Sequence, residues 1–149
     1  MIDSQAERVV AVARRWIGTP YHHQASREQV GTDCLGLVRG IWREVIGPEP
    51  ERVPAYSPHW AETGRVEALL VAARRRMAEI DPAEAAPGDI LAFRMREKGI
   101  AKHVGILVTG DCRSGRIVHA YEGHAVCETA IGPSWARRLA GAFRFPKGR

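Results

Sequence analysis

The sequence has neither a long apolar run nor a paired set of cysteines. No apolar stretch in its 149 residues approaches the roughly 20 residues that span a bilayer, which excludes a transmembrane helix. Its three cysteines, Cys34, Cys112 and Cys127, are an odd number, and none belongs to a CxxC pair. A fully disulfide-paired framework is therefore excluded, and we predict that all three thiols are free.

A secretory signal is also lacking. The first residues, MIDSQAERVV, are acidic and polar before they turn amphipathic, whereas a signal peptide has a basic start and then an apolar segment. We therefore expect a protein made in the cytoplasm, which reaches any site outside the cell by a route other than general secretion.

Lysine is scarce: arginine supplies 19 of the 22 basic residues, and the formal net charge is +5. A basic surface can face nucleic acid, an anionic polymer or an acidic partner, or it can simply be solvated. The sequence has no basic stripe interleaved with aromatics, so we predict no nucleic-acid partner. With 45% apolar and 26% charged residues, the composition is typical of a soluble globular protein, and the length suits one domain over residues 1–149.

Three amphipathic segments predict helices in the first part of the chain. The first follows a capping box at Ser4 and Glu7. The second begins near Cys34, with Asp33 or Thr32 as its cap. Two glycines in this second helix cost helix propensity, so we expect close approach by strands behind it. The predicted helices cover about residues 5–17, 34–46 and 62–80, and residues 19–33 and 48–61 are predicted to be irregular.

After Pro82 the apolar pattern changes to a period of two, which predicts strands. Short, turn-rich segments separate them, as in an antiparallel meander. A run of helices followed by a run of strands predicts an α+β fold, with the helices packed on a roughly five-stranded antiparallel sheet. The predicted strands lie near residues 88–94, 102–108, 115–121, 125–129 and 140–145.

The predicted start of the second helix gives Cys34 a special environment. Amides in a first helical turn carry partial positive charge. Together with a nearby imidazolium they can bring a thiol pKa from about 8.5 into the range ~3.5–7.5. The free amide of Cys34 could also stabilise an oxyanion. The same position suits a buried structural cysteine, and helix position alone does not decide between the two.

Two histidines lie on neighbouring predicted strands. In KHVGILV, alternation puts His103 and Gly105 on one face, where the glycine leaves room for a close neighbour. In RIVHAYE, His119 would come close to His103 if the strands pair as a hairpin. His103 could then act as a base towards Cys34, and His119 could orient it. The spacing leaves an alternative open, in which both histidines are structural and their ring nitrogens are simply hydrogen-bonded within the fold.

Five segments, in order, resemble the NlpC/p60-type family of papain-like cell-wall peptidases. The resemblance implies a papain-like fold with the catalytic cysteine at a helix N-terminus, and hydrolysis of an amide bond in peptidoglycan stem peptides without a cofactor or metal. It also implies that Cys34 is the nucleophile, His103 the base and His119 the orienting third residue. The segments are ARRWIGTPY at 13–21, DCLGLV at 33–38, APGDILAF at 86–93, HVGILV at 103–108 and IVHA at 117–120.

The same resemblance suggests three substrate-binding residues. Tyr21 resembles a tyrosine whose hydroxyl lines the site near the nucleophile. Asp33 resembles an acid that holds the substrate's free amine or shapes the loop, and a capping role can coexist with this. Gln24, with the two histidines before it, replaces part of the usual pocket wall. Leu35 follows the cysteine where the family usually has serine.

Residues 49–80 and the ending GAFRFPKG resemble the phage-associated branch of the family. This implies a protein carried on the tail or baseplate of a phage or gene transfer agent. Its partners would be tail proteins and peptidoglycan, its place the virion or tail tip, and it would act on the periplasmic cell wall without inserting into a membrane. The alternatives are a structural tail component with little activity, or an amidase or acyltransferase on the same fold.

A metal site is a further alternative, because the chain has six histidines. They lack the HExxH or paired CxxC spacing of zinc centres, so we predict none. Those that could contribute are His22, His23, His59, His119 and His124.

Overall fold

Three helices pack against one face of a six-stranded antiparallel sheet and a fourth, short helix packs on the other, in the computed structural model, which describes residues 4–50, 68–95 and 101–148. This is the predicted α+β architecture. The helices are α1 Gln5–Arg15, α2 Cys34–Ile41, α3 Ala68–Arg76 and α4 Gly132–Arg137. The strands are β1 Ser26–Arg27, β2 Gly31–Thr32, β3 Ala78–Ile80, β4 Ile90–Arg94, β5 Ala101–Thr109, β6 Arg116–Tyr121, β7 His124–Ala130 and β8 Leu139–Arg144.

Helix α1 begins where the sequence predicts. The side chain of Ser4 accepts a hydrogen bond from the backbone N–H of Glu7 at 3.0 Å, which satisfies one of the free donors of the first turn. The buried stripe of the helix includes Val9 and Ala13, and the chain turns away at Gly18, whose φ of +93° favours glycine.

Helix α2 also begins as predicted, at Cys34, and continues as a wider π-helical turn over Trp42–Ile46. Its glycines permit close contacts, but the partners are not strands behind the helix. A Cβ at Gly36 would lie 1.9 Å from the carbonyl oxygen of Ala25, and one at Gly40 would lie 2.2 Å from the indole of Trp16. The prediction of close approach was correct, whereas the predicted neighbour was wrong.

Two predicted boundaries need correction. The segment 19–33 contains the short hairpin β1–β2, although its sequence lacks periodicity. The third predicted helix does not reach residue 80, because Ala78–Ile80 forms β3 and pairs with β8 at the sheet edge. The first part of that predicted helix, residues 62–67, lies outside the described residues. Helix α4 has no counterpart among the predicted elements.

The sheet order is β3-β8-β4-β5-β6-β7, with every neighbouring pair antiparallel. Strands β4 to β7 form the predicted meander. The last strand, β8, returns to pair with β4 instead of β7, and β3 then adds a sixth strand. This return places α4 beside the start of β5.

The two faces of the sheet bury different clusters. Val104, Ile106 and Val108 of β5 face α1, α2 and α3, whereas Leu107 packs on the opposite face with Phe93 and Ile117. The predicted alternation along β5 is therefore confirmed. In the described part of the chain, every helix is too short or too polar to cross a membrane.

Candidate active site

Asp33 caps α2 and holds the segment before it. Its Oδ1 accepts a hydrogen bond from the N–H of Gly36, and its Oδ2 accepts one from the N–H of Gln24, both at 2.7 Å. The residue is buried, so these bonds are largely shielded from water. The capping role predicted for Asp33 is confirmed, and it fixes the helix start that carries Cys34.

The sulfur of Cys34 lies against the backbone of β5 on both sides of His103. It is 3.9 Å from the carbonyl oxygen of Lys102, to which the thiol can donate. The amides of Val104, Leu35 and Cys34 itself donate towards the sulfur. Cys34 as a whole residue is partly exposed, whereas its thiol is surrounded by backbone groups.

This contact is possible because β5 and β6 stop pairing near the site. The last Cα pair before the gap is Gly105–His119. The backbone N–H of Leu107 donates to Asp89 and its C=O accepts from Gly88, both in the turn before β4. Because successive residues of a strand point their backbone groups to alternate sides, those of Val104 point towards β6. Beyond the Gly105–His119 pair, β6 no longer pairs with β5, and the amide of Val104 donates to the sulfur of Cys34.

The two predicted histidines do meet. His103 Nε2 lies 2.9 Å from His119 Nδ1, and both rings are buried, with 3% and 1% of their surface exposed. His119 Nε2 lies 2.9 Å from the hydroxyl oxygen of Thr129 on β7. Gly105 makes the arrangement possible, since a Cβ there would already lie 3.3 Å from the Cβ of His119. The room beside Gly105 was expected to suit a helix end or a substrate, and it is instead occupied by His119 and Ile117 of β6.

Trp135 of α4 covers the imidazole of His103. The ring centroids lie 5.2 Å apart with an interplanar angle of 29°, and the guanidinium of Arg138 lies 4.3 Å above the indole. Sequence reasoning missed both residues. The only signal was an aromatic residue in the turn-like segment GPSWARR, which does not by itself indicate a neighbour.

Burial keeps this site uncharged at rest. Burial, and then the charge of Asp33, raises the pKa of the Cys34 thiol to about 12, although the nearby amides oppose this. Burial, and then His119 and Arg138, lowers the pKa of His103 to about 3. Burial, and then His124, lowers the pKa of His119 to about 4. Burial therefore affects the pKa of the Cys34 thiol more than the amides at the helix start, which act in the opposite direction.

The residues predicted to bind substrate cluster around Asp33. Tyr21 is half-buried and forms an isolated β-bridge with Thr32. Burial raises the pKa of Tyr21 to about 12, and the charges of Asp33, Cys34 and Glu122 act in the same direction. Gln24 has a left-handed backbone, with φ of 64°, and its amide serves the Asp33 cap. The imidazole Nδ1 of His23 lies 3.9 Å from Asp33 Oδ2. The HHQ segment, residues 22–24, therefore lies next to Asp33, the N-cap that precedes Cys34.

Within the described ranges, no three His, Cys, Asp or Glu side chains are grouped so that they could hold a metal ion.

The sequence and the fold both match those of a known protein family. The model of the NlpC/P60 family matches residues 18–144, which include the thiol, both histidines and Thr129. The chain belongs to the NlpC/P60 family. Its fold agrees with solved members: the NlpC/p60 domain of the peptidoglycan hydrolase SagA superposes with a TM-score of 0.60 at 22% identity, over 94% of this chain and 98% of that one.

A further NlpC/P60 family protein, from Bacillus cereus ATCC 10987, superposes with a TM-score of 0.66 at 21% identity, over 97% of this chain and 43% of that one. Identities this low show the fold alone. The predicted papain-like architecture is confirmed by these neighbours.

Two curated relatives match in sequence. Gamma-DL-glutamyl hydrolase of Bacillus subtilis (strain 168) is 28% identical over 138 residues, which are 92% of this chain and 29% of that protein. Murein DD-endopeptidase MepH of Escherichia coli (strain K12) is 27% identical over 130 residues, which are 86% of this chain and 41% of that protein. The chain spans less than half the length of either relative.

Proposed function

We propose that this NlpC/P60 domain is a cysteine peptidase that hydrolyses an amide bond in peptidoglycan stem peptides. Cys34 is the nucleophile, His103 the general base and acid, and His119 the residue that orients His103. One observation carries the assignment: the Cys34 sulfur lies against β5 on both sides of His103, whose ring is bonded to His119.

The neutral resting site suits this chemistry. Neutral His103 takes the thiol proton as the sulfur attacks the substrate carbonyl carbon, and the amide of Cys34 can donate to the oxyanion that forms. Protonated His103 then gives its proton to the leaving amine, and a thioester remains on Cys34. Water attacks this thioester, releasing the carboxylic acid and restoring the thiol. Charge forms only during the reaction, so substrate binding and the amides around the sulfur must stabilise it.

The relatives support the class of substrate. One is named a murein DD-endopeptidase, one a gamma-DL-glutamyl hydrolase, and the SagA domain comes from a peptidoglycan hydrolase. The first two names describe different bonds. The proposal therefore concerns an amide bond of the stem peptide, and the HHQ segment and Tyr21 are the residues we expect to select it.

Digestion of purified sacculi tests the proposal. Wild-type protein should release soluble peptide fragments that mass spectrometry identifies by their new termini, and Cys34→Ala should release none. Cys127→Ala is the matched control, because it removes another free, partly exposed thiol and should retain activity. Equal release by wild type and Cys34→Ala would disprove the role of Cys34.

Delivery on a phage-like tail is a finer proposal, and its support is the likeness of residues 49–80 and the ending GAFRFPKG to the phage-associated branch. Local opening of the cell wall during delivery would then be its role. Particles that lack the protein separate this from a structural role. Intact tails with poor infectivity would favour the enzyme, whereas failure of tail assembly would favour a structural component.

A further inference from the structure

The hydrogen-bonded chain at the site extends one residue beyond His119. Thr129 lies on β7, and its hydroxyl oxygen is 2.9 Å from His119 Nε2. On the other side of the same ring, Nδ1 is 2.9 Å from His103 Nε2. Both nitrogens of His119 are therefore engaged, and so is one nitrogen of His103.

These distances allow two directions of donation, and only one supports catalysis. In the first, His103 Nε2–H donates to His119 Nδ1, and His119 Nε2–H donates to the Thr129 hydroxyl. His103 Nδ1 then carries a lone pair that can take the proton of Cys34. In the second direction, Thr129 donates to His119, and His119 donates to His103. His103 Nδ1 then carries a proton already and cannot act as a base.

We propose that Thr129 is a positioning residue whose hydroxyl accepts from His119 Nε2–H and thereby holds both imidazoles in the tautomer that leaves His103 Nδ1 unprotonated and able to act as a base. The inference rests on the proposed function of Cys34 and His103. It adds to the hydrogen-bonded chain of His103 and His119 a residue on β7 that no sequence motif indicated.

The surroundings of Thr129 fit an acceptor. The residue is half-buried, so its hydroxyl hydrogen can turn to solvent while the oxygen faces the ring. A buried N–H without an acceptor is costly, which penalises any arrangement that leaves His119 Nε2–H unpaired. Loss of the acceptor should therefore move the proton of His119 to Nδ1, where His103 Nε2 can accept it. That is the unproductive direction.

A pair of substitutions isolates the hydroxyl. Thr129→Val keeps the side-chain shape but has no acceptor, and we expect a loss of kcat/KM of roughly tenfold, because a buried N–H of His119 loses its hydrogen-bond partner. Thr129→Ser keeps the acceptor and should stay within about twofold of wild type on the same reasoning. Thr109→Val is the control for loss of a hydroxyl from a half-buried strand position, since Thr109 lies at the end of β5 remote from His103.

The tautomers can be read directly, whether or not peptidoglycan is the substrate. Long-range ¹H–¹⁵N correlation spectra of the imidazoles distinguish Nε2–H from Nδ1–H. Wild type and Thr129→Ser should show Nε2–H at both His103 and His119, and Thr129→Val should move His119 towards Nδ1–H. Nδ1–H rings in the wild type, or unchanged spectra in Thr129→Val, would overturn the inference. Wild type that shows the expected tautomers but releases nothing from sacculi would instead contradict the proposed function.

Discussion

The indole of Trp135 lies against the imidazole of His103 with ring centroids 5.2 Å apart and an interplanar angle of 29°. The indole therefore shields one face of the imidazole from water. The guanidinium of Arg138 also lies over the indole, at 4.3 Å from its centroid. The helix α4 thus controls the environment of a group that lies on β5, more than 30 residues earlier in the chain.

Trp135→Ala should reduce kcat/KM by up to about tenfold. An aromatic pair contributes roughly 0.5–1.5 kcal/mol beyond its burial, and the loss would free the His103 ring to reorient. Water would also reach the ring, so the pKa of His103 should rise. Trp135→Phe retains an aromatic face and should recover most of the activity. Hydrolysis of a stem peptide is the assay, and unchanged kinetics in Trp135→Ala would contradict the positioning role.

Arg138→Gln should shift the acid limb of the kcat/KM profile to higher pH. The guanidinium disfavours the imidazolium form and so lowers the pKa of His103, and its removal should raise that pKa. The titratable rings in contact with this imidazole are those of His119 and Tyr121 from β6. Each of them is unchanged in the variant.

Arg138→Lys is the control for the hydrogen bonds of this arginine. Arg138 also donates to the carbonyl oxygens of Met95 and Ser134, and lysine keeps the positive charge while losing most of these bonds. An acid limb that moves in Arg138→Gln but not in Arg138→Lys assigns the effect to charge. Equal shifts in both would show that the bonds matter instead.

Local signals in the sequence were enough to place Cys34 at a helix start and His103 and His119 on neighbouring strands. The cap at Asp33 and the alternation around His103 and Gly105 each depend on neighbours within a few residues, and the structure has both. Those signals also located the meander of β4 to β7, because short turns join strands that are adjacent in the chain.

What the sequence did not predict depends on contacts between distant segments. Ala78–Ile80 becomes a strand only because β8 offers a free edge, and the helical pattern before it gives no sign of that pairing. Trp135 reaches His103 only because the chain returns to β4 through β8. The pKa of the Cys34 thiol depends on both local and distant contacts. The helix dipole is visible in the sequence, whereas the burial that outweighs it is a property of the packed site.

Stability should fall as the pH is lowered from about 6.5 towards 3. His103 and His119 have pKa values of about 3 and about 4 in the folded protein, below the 6.5 of an unfolded histidine. The unfolded state therefore binds more protons in this window, so the free energy of unfolding decreases with acid by up to about 1.4 kcal/mol per pH unit for each histidine. Urea unfolding at pH 7, 6, 5 and 4 measures this slope.

A histidine variant checks the source of the slope. His119→Gln removes one of the two groups and should flatten the dependence below pH 6.5, even if it lowers stability at pH 7. His22→Gln is the matched control, because His22 is an exposed histidine that does not contribute to the lowered pKa of His103 or His119, and its loss should leave the slope nearly unchanged. A slope that is the same in wild type and His119→Gln would place the acid sensitivity elsewhere.

Asp33→Asn should separate the structural role of this carboxylate from an electrostatic one. Asparagine keeps one acceptor oxygen for the amide of Gly36 but turns an NH2 group towards the amide of Gln24, so the loss of stability should be that of one unsatisfied N–H, roughly 1–3 kcal/mol. The negative charge of Asp33 raises the pKa of Cys34, so its removal should lower that pKa. Alkylation of the thiol by iodoacetamide should then accelerate at a lower pH than in wild type.

The same variant bears on the substrate. If Asp33 also holds the free amine of the stem peptide, Asp33→Asn should raise KM more than it lowers kcat, because a binding interaction common to ground and transition state is lost. Asp33→Ala removes both acceptors and should lose the cap as well. If KM is unchanged in Asp33→Asn while the alkylation profile moves, Asp33 acts on the thiol and the helix start, and the amine is bound by other residues of the cleft.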